Sequence, residues 1–287
     1  MRKPIFPVLS AAFAALFLLP ALLHGWGFWA HKIITRQAIA IMPEEAKAFF
    51  VANADSISEK SIDPDLWRRI DKKESKRHFI DIDKYGDFPF SELPRDYDAA
   101  VKKYGEEHVF EFGIAPWRIV EMMDSLTAAM KTLDKKLIIR YSTAVAHYVE
   151  DIHMPLHTVL NYDGQLSGNK GIHSRYERWM LEAHKEQTIN SFNPAQPAYV
   201  DDVLNATFEW VLESNVWADN MLLADTRSKI PGKTYEQRED YDQEYYARLY
   251  ENTTAFTGLQ LSRAATATAS CWLTAWIDAG KPDLSKI

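Results

Sequence analysis

Residues 137–157 join an apolar helical stripe to a cluster of metal-ligand side chains, and that combination limits the fold more than any other feature of the chain. Leu137, Tyr141, Ala144, Val145, Tyr148 and Ile152 recur at the period of one helix face. His147 and Asp151 stand four residues apart, so both side chains leave the same side of that helix. Pro155 ends the helix and puts His157 just beyond it. After a loop rich in Gly, Asn and Ser, His173 and Glu177 repeat the four-residue spacing. One His-x-x-x-Asp pair is ordinarily a local hydrogen bond. Two such pairs, with His157 between them and a strong apolar stripe beside them, point to a divalent ion held between helices. The only cysteine, Cys271, can form neither an internal disulfide nor a thiolate zinc site. The ligands must therefore come from His, Asp, Glu and backbone groups.

Helical periodicity extends over residues 30–50, with a break near Pro43, and over 115–134, 173–186, 200–225 and 240–279. Strand patterns are few and short, and residues 81–97 and 158–172 carry the signals of loops. The expectation is an all-α fold, with residues 26–287 forming one multi-helix domain. Residues 1–25 read as a secretory signal: Arg2 and Lys3 precede an apolar run, Leu9 to Leu23, too short for a convincing membrane span. The competing reading is an uncleaved membrane anchor. A signal makes the protein secreted or periplasmic. Without Arg2 and Lys3 the chain keeps 31 basic against 40 acidic residues, net −9. That balance argues against a broad cationic nucleic-acid face, although bound metal would supply positive charge at the site itself.

Weaker candidates lie upstream. His31 follows Trp26-Gly27-Phe28-Trp29-Ala30; Asp63, Asp65 and Arg68 share Asp-Pro-Asp-Leu-Trp-Arg; His78 opens His-Phe-Ile-Asp. In this order, from Trp26 to Glu177, the motifs resemble the zinc-dependent superfamily that joins single-strand nucleases of the S-one/P-one type with bacterial zinc phospholipases C. The resemblance implies three zinc ions clustered at the base of a cleft. It implies cleavage between Gly25 and Trp26, so that the freed amine and carbonyl of Trp26 bind one ion together with His31. Asp65, His78, His147 and Asp151 take the places of the ligands of a second ion, with Asp151 bridging to the first. His157, His173 and Glu177 take those of the third. Arg68 falls where the nucleases hold phosphate, and Asp65 doubles as a catalytic group that orients the attacking water. Phe79 and Asp81 fall where they stack and bind a base.

Some positions depart from the nuclease pattern. Glu177 stands where nucleases generally have Asp, and with Tyr176 it resembles the phospholipases C. The loop reads Ser167-Gly168-Asn169 in place of Gly-Gly-Asn. Asp65-x-x-Arg68 and the short Trp26–His31 spacing resemble the nucleases instead. His153 reads as a hydrogen-bonding neighbour of the ligands, and His108 and His184 as surface residues. The expected activity is phosphodiester hydrolysis, foremost on single-stranded nucleic acid and nucleotide 3′-phosphates, with phospholipid head groups as the alternative substrate. A non-enzymatic zinc protein is a third reading; Arg68 and a ligand set larger than a structural site needs argue against it. No stable protein partner is expected.

Overall fold

The computed structural model describes residues 26–287; residues 1–25, and with them the expected signal segment, lie outside the described residues. The first helices are α1 (Phe28–Ala40), α2 (Glu44–Ala52), α3 (Ala54–Lys60) and α4 (Asp63–Trp67). Two short helices, α5 (Tyr97–Tyr104) and α6 (Glu106–Glu111), precede the long pair α7 (Ala115–Lys131) and α8 (Lys135–Ile152). Next come α9 (Ile172–Ser174), a π-helical turn over Arg175–Met180, α10 (Leu181–Ala183) and α11 (Lys185–Asn190). The chain ends with α12 (Val203–Asn215), α13 (Ala218–Ser228) and α14 (Gln243–Asp278). Among the described residues there is no strand, so the all-α expectation holds.

Local chemistry starts these helices. Asp96, Asp134, Asp202 and Asp242 each cap a helix by accepting a backbone N–H three residues on. Pro64 and Pro116 occupy the first turns of α4 and α7, where a missing N–H costs nothing. The expected helix over 200–225 is two helices, because the chain turns at Val216–Trp217.

The core lies between α7, α8, α1 and the 36-residue α14, which is buried along most of its C-terminal half. Alanines at 264, 265, 267, 269 and 275 let neighbouring helices approach closely, and Trp272 fills the gap beside Phe50, its indole donating to Ser142 O at 3.0 Å. Residues 193–200 run extended along the other side of α14. Their N–H groups donate to a row of hydroxyls four residues apart: Asn193 to Ser262, Ala195 to Thr266, Ala198 to Ser270 and Val200 to Thr274, at 2.9–3.1 Å. A segment with no strand partner is thus satisfied by helix side chains.

Candidate metal centre

Helix α8 carries His147, Glu150 and Asp151 into the interior, all fully buried. Helix α1 brings His31 and α4 brings Asp65, both buried, and Arg68 caps α4. A 3-10 turn, Lys72–Arg77, delivers His78; another, Pro155–Thr158, presents His157; and α9 with the π turn presents His173 and Glu177. π turns recur at functional sites. Segment 78–80 is tied to His157, whose Nδ1 donates to His78 O at 2.8 Å while its carbonyl accepts from Ile80 N at 2.9 Å.

Three groups of donor atoms result: His31, Asp65 and His147; His78, His147 and Asp151; and His157, His173 and Glu177. Within each, the candidate atoms lie within 4.8 Å of one another. Asp151 links the groups: Oδ2 lies 2.9 Å from His78 Nδ1 and 3.3 Å from His147 Nε2, and Oδ1 lies 3.5 Å from His31 Nε2. Asp65, expected with His78 and His147, also stands with His31, and its Oδ1 is 3.8 Å from both His78 Nδ1 and His147 Nε2. Trp26 is fully buried; its indole donates to Glu150 O at 2.8 Å, and Gly27 N donates to Glu177 O.

The donor set fits zinc. Ligands on an ion at about 2.1 Å are roughly 3.4 Å apart across a tetrahedral edge. His147 Nε2 and His78 Nδ1 are 3.0 Å apart, His157 Nε2 and His173 Nε2 3.2 Å, and His173 Nε2 and Glu177 Oε2 2.9 Å. The Nδ1 atoms of His147, His157 and His173 face the carbonyls of Ser61, His78 and Tyr162. Donation there turns each Nε2 toward its neighbours in the group, where in unprotonated form it would coordinate an ion. Asp65 Oδ2 is buried with neither a hydrogen bond nor an ion pair, and His31 Nε2 and Asp151 Oδ1 face each other at 3.5 Å without a hydrogen bond, which would be costly in a site built only from protein.

The charges agree with this. Burial drives His157 down to about 3, against the pull of Asp151. Burial also opposes the charged form of His31, but Asp151 and Glu150 outweigh it and raise His31 to about 10. Burial would lift Asp151, yet His147 and His157 hold it well below the usual carboxylate range. His173 is likewise raised, to about 9, by Glu177 against the effect of burial, so His31 and His173 carry the positive charge beside Asp151 and Glu177 that a divalent ion would otherwise bring.

Arg68 reaches Asp65 Oδ1 at 3.1 Å, with its side chain 9% exposed. Phe79 and Asp81 belong to none of the three groups. Phe79 is half-buried, with its backbone against Gly113, where φ is +90° and a Cβ would strike the Phe79 carbonyl. Asp81 is 5% exposed, and burial raises it to about 7. His153, the C-cap of α8, donates from Nδ1 back to Val149 O. His108 and His184 are partly exposed and stack on Tyr104 and Tyr250.

Two supporting carboxylates were not evident in the sequence. Glu150 accepts from His31 Nδ1 at 2.6 Å and from Thr35 Oγ1 at 2.8 Å, fixing the His31 ring. Glu74 accepts from Tyr148 and Arg77 and faces His78 Nε2 at 3.6 Å. The available signal was the placement of Glu150 directly beside Asp151 in the fully buried C-terminal half of α8.

A protein family described as zinc dependent phospholipase C matches residues 30–221. No curated protein matches the sequence. Among solved structures, the alpha toxin of Clostridium absonum aligns with a TM-score of 0.53 at 13% identity, over 89% of this chain and 65% of the toxin chain. The alpha-toxin of an avian strain of Clostridium perfringens aligns at 0.47 and 15% identity, over 85% and 64%. At these identities the first likeness concerns the fold alone, and the chain spans slightly under two thirds of either toxin chain.

Proposed function

Since this chain belongs to the zinc-dependent phospholipase C family, we propose that it is a zinc-dependent hydrolase that cleaves the phosphodiester of phospholipid head groups. The observation that carries the reading is the convergence of three groups of buried, mutually facing imidazole and carboxylate donors beside an arginine. His31, Asp65, His78, His147, Asp151, His157, His173 and Glu177 would hold three zinc ions, with the main chain of Trp26 completing the first site once its amine is free. Zinc bound there would supply Lewis acidity toward phosphoryl oxygens and activate water near neutral pH.

The chain's own groups do the rest. Arg68 would donate to a phosphoryl oxygen and stabilise the charge that grows on it in the transition state. Asp65 holds the Arg68 guanidinium at 3.1 Å and would orient the attacking water. Glu150 and Glu74 fix His31 and His78, so that the ligands stand ready before an ion arrives.

The sequence placed nucleic acid ahead of phospholipid on the strength of Asp65-x-x-Arg68 and the Trp26–His31 spacing. The comparisons lend that order no support, and the family match favours phospholipid. Asp81 offers little as a base-binding group, since it is almost fully buried. The deciding experiment gives zinc-loaded protein phosphatidylcholine and single-stranded DNA in parallel. Release of diacylglycerol and a phosphorylated head group is expected. Cleavage of the single strand with no action on phospholipid would restore the nuclease reading.

A further inference from the structure

The chain between the two metal-ligand stretches forms a short, firmly held projection. It leaves Asp65 and Arg68 at the end of α4 and returns at His78 through the 3-10 turn. At its tip is Ile70, 86% exposed, the most exposed of the large apolar residues described. Arg69, Lys72 and Lys73 surround it, all exposed, and none forms an ion pair among the described residues. Residues 68–77 hold six basic and two acidic side chains in a protein of net charge −7. Asp71 sets the shape: it caps the turn by accepting from Lys73 N at 2.9 Å and pairs with Arg77 at 3.0 Å. Ile70 N and Asp71 N both donate to Trp67 O at 2.9 Å. The exposure of Ile70 is therefore built into the backbone.

A single exposed apolar residue means nothing by itself. Three unpaired cations around it, on a segment anchored at both ends in the candidate metal centre, have a physical use. We propose that Arg69, Ile70, Lys72 and Lys73 form a landing tip for an anionic phospholipid surface, with the cations meeting head-group phosphates and Ile70 entering the boundary with the acyl chains. Docking there would bring the metal centre to its substrate in the bilayer. The inference rests on the phospholipid reading above. Nucleic acid is the lesser fit for this tip, because strand binding pairs basic groups with aromatic stacking platforms and the apex here is aliphatic.

The test separates docking from chemistry. Zinc-loaded protein is sedimented with vesicles of phosphatidylcholine alone and of phosphatidylcholine mixed with phosphatidylserine, and hydrolysis of a monomeric short-chain phosphatidylcholine is followed separately. Wild type should prefer the anionic vesicles and lose that preference as salt rises. The Lys72→Glu/Lys73→Glu double variant should bind anionic vesicles roughly thirtyfold or more weakly, at about a factor of five for each lysine lost. Ile70→Ser should weaken binding about tenfold on both compositions. Both variants should hydrolyse the short-chain substrate at the wild-type rate, which also shows that they fold. Variants that bind vesicles like wild type overturn the proposal, as does a tip that binds single-stranded DNA and ignores vesicles. Vesicle binding that follows these variants, without short-chain hydrolysis by wild type, would leave the docking tip standing and remove the phospholipase activity.

Discussion

Arg68 contacts Asp65 and Glu150 contacts His31, so on the proposed reading their variants should fail in different ways. Arg68 is nine-tenths buried and linked only to Asp65. Arg68→Ala should leave zinc content unchanged and lower turnover a hundred- to a thousandfold, since a charge-assisted transition-state contact is commonly worth about 2.7–4 kcal/mol. If activity falls only in step with thermal stability, the arginine merely positions α4. Glu150→Gln keeps a bond to Thr35 but removes the charge behind His31, so zinc affinity should drop about ten- to a hundredfold, with activity recovering in excess zinc; equilibrium zinc titration reads this directly. Asp81 makes a pH prediction. Its folded pKa is raised to about 7 by burial and by nearby Asp83, whereas unfolded Asp titrates near 3.9. The folded protein then binds the extra proton, so stability is full below about pH 4, falls as pH rises, and levels off above about 7. Asp81→Asn stays neutral and should gain on wild type over that interval by an amount on the order of a few kcal/mol, seen in denaturant midpoints; parallel curves for the two proteins would refute the burial argument. At this scale the sequence is legible where two ligands share one helix face, as His147 and Asp151 do. For Glu150 it offers only the place beside Asp151, because the contact with His31 depends on α1 crossing α8, a relation no spacing along the chain records.

Among the elements, α8 is legible in the sequence because its stripe, its Asp134 cap and its Pro155 stop agree. Helices α5 and α6 are not. They are short, are capped by Asp96 and Gly105, and bury little beyond Ala100 and Val109, so about two turns each give too few repeats for a period to stand out. The extended segment 193–200 escapes a sequence reading for another reason: its hydrogen-bond partners are side chains of α14, and the signal is a Ser262, Thr266, Ser270, Thr274 spacing that reads as plain helix. That ladder is testable. Thr266→Val keeps the volume but removes the acceptor for Ala195 N and the donor to Ser262 O. Ser270→Ala does the same at Ala198 N. Each should cost about 1 kcal/mol, and the pair somewhat more than the sum if the segment detaches as a unit. Hydrolytic activity should be unaffected, because none of the ladder residues belongs to the candidate donor groups. Amide hydrogen exchange that stays slow at Ala195 and Ala198 in the double variant would show that the ladder does not hold the segment.

For the whole molecule, the candidate centre gathers its donor side chains from α1, α4, the segment leading to His78, α8, the turn at His157 and the helical stretch after Gly171. Each of these also packs into the common core. Removing metal should therefore be felt globally: the buried carboxylates of Asp65, Asp151 and Glu177 lose their counter-charge, and burying charge without a partner is costly. Ligand binding to the folded state alone stabilises it by RT ln(1 + [L]/Kd), about 4 kcal/mol when free ligand exceeds the dissociation constant a thousandfold. Exhaustive chelation should lower the melting temperature by several degrees or more and abolish activity, and zinc alone should restore both. A melting temperature unmoved after verified metal loss would mean that the donors are held by the scaffold and need no ion. Stoichiometry sharpens the point, because the first of the three ions is expected to take the free amine of Trp26. Protein beginning at Trp26 should bind three zinc ions, and the same chain with residues retained ahead of Trp26 should bind one fewer tightly, since a peptide nitrogen has no lone pair to give. Metal analysis of the two forms, joined to N-terminal sequencing of exported material, tests cleavage after Gly25 and the role of Trp26 together. Equal zinc content in both forms would remove Trp26 from the ligand set and leave His31, Asp65 and His147 to hold that ion alone.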